Sequence, residues 1–269
     1  MNILISKYLN IKVYLCERDK IEFDSGFCYE KLDDQIIYIT ENLTFLGSIN
    51  IDENGKRLFN NTIKCKFVIK NGAEVVFKNL WLESAGMGNV FVVEDASTLN
   101  LETVVVEDKV EGQKYAAIYI KGKSTINLDD VEIQESDSNQ LIICEENSFL
   151  NVVNSDYFYC RLNIKNSVAT IKNSNLISEK GNVINISNDS NVSIENSTIT
   201  SLATINEENV TYPAIWVDNS QLKTNNCNVF HEECVCAINC IKSLYFSSND
   251  TIASVELAKS SGYFDNTRI

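Results

Sequence analysis

The sequence predicts an all-β protein wound as a parallel β-helix, a solenoid of three sheets in about eight to ten coils of ~24 residues. Three observations carry that expectation. Two neighbouring stretches, KNSVATIKNSNLI (165–177) and NDSNVSIENSTIT (188–200), repeat one pattern of serine, alternating apolar residues and asparagine. Aligned on the asparagine, the pattern recurs at Asn79, Thr103, Asp130, Asn154, Asn173, Asn196, Asn226 and Asn249, at intervals of 19 to 30 residues. Within each unit the apolar spacing is two, the period of a strand and not of a helix. The third observation is composition: one proline and ten glycines in 269 residues are few for a sandwich with many tight turns.

The columns hold on both sides of the anchor. Six positions before it stand Ala73, Ser97, Ser124, Ser148, Ser167, Ser190, Ser220 and Ser243, and three after it stand Leu82, Val106, Ile133, Tyr157, Leu176, Ile199, Val229 and Ile252. Coils stacked at the strand spacing of about 4.8 Å put like residues over like, which explains the columns. The asparagines then read as an inward ladder at a bend, their amides bonded to one another, with the serines at the preceding corner. On that reading Asn196, in the glycosylation-type triplet Asn196-Ser197-Thr198, is an inward rung and a poor glycan acceptor. The long insertions 109–115 and 201–213 both follow the third strand of a unit, so one corner carries the long loops.

In order along the chain, residues 1–50 read as an N-terminal cap with an irregular first coil, IIYITENLTFLGSI (36–49). Residues 51–255 read as the solenoid, and 256–269 as a C-terminal cap or tail over an otherwise open end. The unit AAIYIKGKSTINLDDVEI (116–133) resembles the right-handed parallel β-helix of the pectin-lyase-like superfamily over roughly residues 63–255. The resemblance implies three strands per coil, variable loops at the third turn, and sites on the outer face of the first sheet. It is one of architecture, and no signature of a pectin methylesterase or polygalacturonase is present.

Composition narrows the partners. A net charge of −14 argues against a surface that neutralises nucleic-acid phosphates or anionic lipid. No apolar run reaches the length of a membrane span, and the N-terminus lacks a secretory-signal pattern, so a cytoplasmic protein is expected. The nine scattered cysteines read as reduced thiols, several of them small core residues. No cofactor is expected.

The first strand of each unit is where a site is expected. Its outward column reads Val68, Val92, Tyr119, Ile143, Asn185, Ile215 and Ile238, with Leu162 between Ile143 and Asn185 and with Trp216 facing inward. That column is mostly apolar, whereas the second sheet presents Thr98, Asn100, Thr125, Asn127, Asn191, Ser193, Gln221 and Lys223. An apolar stripe of that extent marks an interface, or a surface covered by the chain's own termini. Beside it a second column, Lys70, Glu94, Lys121 and Glu145, alternates in charge and reads as a salt-bridge ladder. Its catalytic alternative makes Glu94 and Glu145, two coils or about 9.6 Å apart, an acid/base pair around Lys121 and Tyr119. His231, Cys234, Cys236 and Cys240 form a weak metal candidate, because the cysteines sit at even offsets along a strand and residues two apart are separated by about 6.6 Å. No nucleophile is expected beside His231, the only histidine.

The sequence therefore points to a non-enzymatic binding or scaffold module that contacts a protein partner or a second subunit through Val68, Val92, Tyr119, Ile143, Ile215 and Ile238. The runner-up is a polysaccharide lyase or glycoside hydrolase using Glu94, Tyr119, Lys121 and Glu145 on a carbohydrate. A third reading, a phage or surface fibre, uses the stripe for trimerisation.

Overall fold

The computed structural model describes residues 20–23, 28–29, 36–84, 88–107, 116–134, 142–157, 161–179, 181–203, 212–232 and 236–269. These form a β-solenoid of three parallel sheets with no helix among them. Sheet one has ten strands, one per coil: Ile36–Ile39, Lys66–Ile69, Phe91–Val93, Ile118–Ile120, Ile142–Cys144, Leu162–Lys165, Ile184–Ser187, Ile215–Asp218, Ile238–Ile241 and Val255–Ala258. These strands number the coils 1 to 10. Sheets two and three are continuous where Glu74–Glu83, Thr98–Glu107 and Thr125–Gln134 run through the bend between them; from coil 5 on, separate strands such as Asn191–Glu195 and Thr198–Ser201 make the two sheets.

The solenoid extends past both expected boundaries. Ile36–Ile39 and Leu43–Leu46 pair in register with coil 2, so the first coil is regular. Its period is hidden in the sequence by an inserted antiparallel hairpin, Ile49–Ile51 with Arg57–Phe59. That hairpin is pinned to the solenoid by Arg57, whose Nη1 bonds Asp130 Oδ1 at 2.7 Å, and by Phe59 edge-on to Trp81. At the other end Val255–Ala258 and Ser261–Asp265 pair in register with coil 9, so residues 256–269 continue the solenoid as a further coil rather than as a separate cap or tail.

Packing explains the columns. Inward residues such as Ile126, Leu150, Ile171, Ile194 and Leu222 are buried, and the core is aromatic at its N-terminal end. There Phe45 stacks on Phe77 at 4.4 Å, while Phe67 stacks on Phe91 at 5.4 Å. The serine column is an inward ladder at the first corner. Ser124, Ser148, Ser167, Ser190, Ser220 and Ser243 each donate a backbone N–H to the hydroxyl of the serine one coil on, at 3.0–3.2 Å.

The asparagine column differs from its expected place. Asn154, Asn173, Asn196, Asn226 and Asn249 are exposed, with φ between 49° and 55°. A left-handed residue at the bend turns its Cβ outward, and asparagine tolerates that conformation best after glycine. The ladder is therefore on the surface: Asn196 Nδ2 donates to Asn173 Oδ1 at 3.3 Å, and Asn226 Nδ2 donates to Asn196 Oδ1 at 2.9 Å. Asn196 is accessible, against expectation, although its amide is held in the ladder. The inward rung is the next residue, in the column Ser155, Ser174, Ser197, Cys227 and Asp250. Val131 N donates to Ser155 Oγ at 3.1 Å, and Cys227 N donates to Asp250 Oδ1 at 2.7 Å.

Candidate functional site

The strand register sets what sheet one shows to solvent. Tyr38 lies beside Val68, which lies beside Val92, Tyr119, Ile143, Asn163, Asn185, Trp216, Asn239 and Glu256 in turn. Val68, Val92, Tyr119 and Ile143 thus share a column, and Tyr38, 59% exposed, extends it by one coil. Ile215 and Ile238 do not belong to it. Both are fully buried, as is Leu162, and their outward places are taken by Trp216, Asn239 and Asn163.

The reason is the first corner. Most early coils turn with two left-handed residues, as at Asp95–Ala96, Gly122–Lys123, Glu146–Asn147 and Asn188–Asp189. Coils 6, 8, 9 and 10 turn with one: Asn166, Asn219, Lys242 and Lys259. A corner shorter by one residue reverses the parity counted back from the serine, and period 2 then moves every side chain of the strand to the other face. The apolar column is accordingly confined to coils 1–5, and the outer face of coils 6–10 is polar apart from Trp216, Ile241 and Ala258.

Along the stripe's flank, Lys70, Glu94, Lys121 and Glu145 stack as expected. Lys121 Nζ bonds Glu94 Oε2 at 3.1 Å and lies 5.7 Å from the centre of the Tyr119 ring. Tyr119 donates its hydroxyl hydrogen to Glu145. Burial, and then the bond to Glu145, hold the Tyr119 phenol well above its usual range, so it stays protonated. One coil pair earlier, Lys70 Nζ sits 4.8 Å from the Tyr38 ring centre. The four runner-up catalytic residues are therefore brought together, in a closed set of mutual contacts.

The metal candidate is partly outside the described residues, since Cys234 is not among them. Cys240 points into the core, and burial pushes its thiol up to about 12; Cys144 is pushed up to about 12 in the same way. Cys236, also buried, lies 3.8 Å from Glu256 Oε2. Among the described residues no three side chains of metal-ligand type converge. His231 does have a hydroxyl beside it, contrary to expectation: its Nε2 is 3.2 Å from Ser254 Oγ. The contact comes from one turn of stacking, which sequence separation conceals. Ser254 Oγ also accepts the Ala237 N–H at 3.1 Å, which ties it into the third corner.

Outward second-sheet residues, among them Asn100 and Asn127, form a ladder of their own that the sequence reading did not foresee. Asn127 donates to Asn100 and Asn151 donates to Asn127, each at 2.7 Å, and Thr170 donates to Asn151 at 2.6 Å. The signal was the alignment of Asn100, Asn127 and Asn151 one place after Leu99, Ile126 and Leu150. Comparison with family models, with curated proteins and with solved structures found no match to this chain.

Proposed function

We propose that this chain is a non-catalytic binding module, with the architecture of the pectin-lyase-like β-helices, that contacts another protein through the outer face of sheet one in coils 1–5. The observation that carries this reading is the column Tyr38, Val92, Tyr119 and Ile143, continuous in register through Val68, which is itself only 8% exposed. Five coils span about 19 Å between the first and last strand, which with the flanking rows makes a patch of interface size. The row Lys70, Glu94, Lys121 and Glu145 supplies the polar rim that surrounds the apolar centre of most interfaces.

The same contacts weigh against the carbohydrate-active reading. Lys121 is held by Glu94, and Tyr119 is protonated and bound to Glu145, so neither stands free as a base. Val92→Asp places charge in the middle of the stripe and Ile143→Asp at its coil 5 end. Each is expected to weaken binding to a protein captured by the wild-type chain at least about tenfold while the thermal transition stays intact. Equal binding by both variants overturns the reading. Cleavage of an acidic polysaccharide that Lys121→Ala abolishes overturns it in favour of the enzyme.

A further inference from the structure

We infer that the protein met by the outer face of sheet one is a second copy of this chain, lying antiparallel to the first about a two-fold axis that runs along the strands between coils 3 and 4. The inference rests on the reading of the stripe as a contact surface and adds which partner that surface fits. The rim beside the apolar column is Lys70, Glu94, Lys121 and Glu145, one residue from each of coils 2 to 5. A two-fold interface sets residue i against residue j of the other copy and j against i, so its pattern must complement itself when reversed. A row of plus, minus, plus and minus meets that condition. About an axis between coils 3 and 4, Lys70 falls opposite Glu145 and Glu94 falls opposite Lys121, and each pair occurs twice. The rim carries no net charge in a chain of −14, so the general repulsion between two copies is cancelled locally on this face.

The same axis matches the apolar column. Val92 falls opposite Tyr119 and Val68 opposite Ile143, so apolar meets apolar in all four coils that carry the charged rim. Tyr38, 59% exposed in coil 1, falls opposite Asn163 of coil 6, a phenol against an amide. At the corner beyond the rim, Asp95 falls opposite Gly122 and Glu146 opposite Asn71, so these positions add no like-charge contact. Facing sheets stack about 10 Å apart, a gap that a lysine and a glutamate span together. Other axes fail on one count or the other. An axis through coil 3 sets Glu94 against itself and Lys70 against Lys121. One between coils 2 and 3 pairs Lys70 with Glu94 but sets Lys121 against Thr40. One between coils 4 and 5 keeps opposite charges together, Lys121 with Glu145 and Glu94 with Lys165, but sets Val92 against Asn163 and Val68 against Asn185. A trimer about an axis parallel to the solenoid holds equal coils at equal heights, which brings no lysine level with a glutamate. The alternating rim therefore selects the antiparallel pair.

The test is the mass of the full chain in solution, by sedimentation equilibrium over a hundredfold range of concentration. The expected result is a concentration-dependent dimer that goes no further. Glu94→Lys makes both rim contacts nearest the axis lysine against lysine, and Lys121→Glu makes both glutamate against glutamate. Each variant alone is expected to raise the dimer dissociation constant at least about tenfold. Mixed in equal amounts, the two are expected to form a dimer at least about tenfold tighter than either alone, because in the mixed pair each new charge faces its opposite. An unfolded variant cannot give that recovery. Nor can mixing restore the Lys121–Glu94 bond within one chain, so recovery reports a contact between chains. A monomer at all concentrations, an assembly that grows past the dimer, a dimer unchanged by Val92→Asp, or a mixture no tighter than its components each overturns the inference. A monomeric chain in which Val92→Asp still abolishes capture of a different protein overturns the second copy alone and leaves the stripe as a contact surface. A dimer that Val92→Asp leaves whole assigns self-association to another face.

Discussion

Asp250 shows how one residue sets the inside of a coil. It takes the place that serine holds in coils 5–7 and Cys227 in coil 8, is 2% exposed, and satisfies three donors. Its Oδ2 accepts from the hydroxyls of Thr224 and Ser247, each at 2.5 Å, and its Oδ1 accepts the Cys227 N–H at 2.7 Å. Thr224 in turn meets the buried Tyr245 hydroxyl at 3.0 Å. Asp250→Ala removes the acceptor and leaves donors buried without partners, which costs about 1–3 kcal/mol each, so a total loss of roughly 3–5 kcal/mol is expected. Asp250→Asn keeps one acceptor for Cys227, and the two hydroxyls can rotate, so about half that loss is expected. Urea unfolding of the three proteins checks the order. An alanine variant as stable as the wild type would show that the network adds no stability.

At the scale of the element, the first corner decides which face a strand shows. A single left-handed residue in L-form costs roughly 1–2 kcal/mol unless it is glycine or, less often, asparagine or aspartate. Coil 9 places Lys242 there, at φ 50°, and coil 8 places Asn219, at φ 46°. Lys242→Asn is expected to stabilise by about 0.5–1 kcal/mol, and Asn219→Val to destabilise by about 1–2 kcal/mol, since a β-branched residue resists positive φ most. Thermal unfolding measures both, and an effect of opposite sign at either site would refute the corner assignment. This element also marks how far the sequence could be read. The stacking, the serine ladder and the column Val68, Val92, Tyr119 and Ile143 were legible because period 2 repeats between corners of equal length. Ile215, Ile238 and Trp216 were not, because Asn219 and Lys242 each form a corner one residue shorter, and nothing in AIWVDNS marks which residues turn left-handed. The pairing of His231 with Ser254 was hidden for a different reason: stacking joins residues a coil apart.

For the whole molecule, stacked strands touch only the coils beside them, the Arg57–Asp130 bond from the coil 1 hairpin to coil 4 aside, so stability is largely a sum of local terms instead of a property of one central core. The two ends differ in kind. Phe45, Phe67, Phe77 and Phe91 interlock in coils 1–3, with Phe77 stacked on Phe45 and edge-on to Phe67 and Phe91. Coils 6–8 are filled by Leu162, Ile164, Ile171, Ile194, Leu222 and similar aliphatic side chains, and coil 9 buries Tyr245 below Leu222. Phe77→Ala removes the ring that touches the other three, a loss of about 3–5 kcal/mol by cavity formation. In a solenoid that loss stays near its source. Hydrogen exchange followed by mass spectrometry is expected to show faster exchange in peptides covering 36–107 and unchanged exchange in 161–232. A uniform rise across all peptides would mean that the coils unfold as one unit, and would require long-range coupling that neighbour contacts alone do not supply.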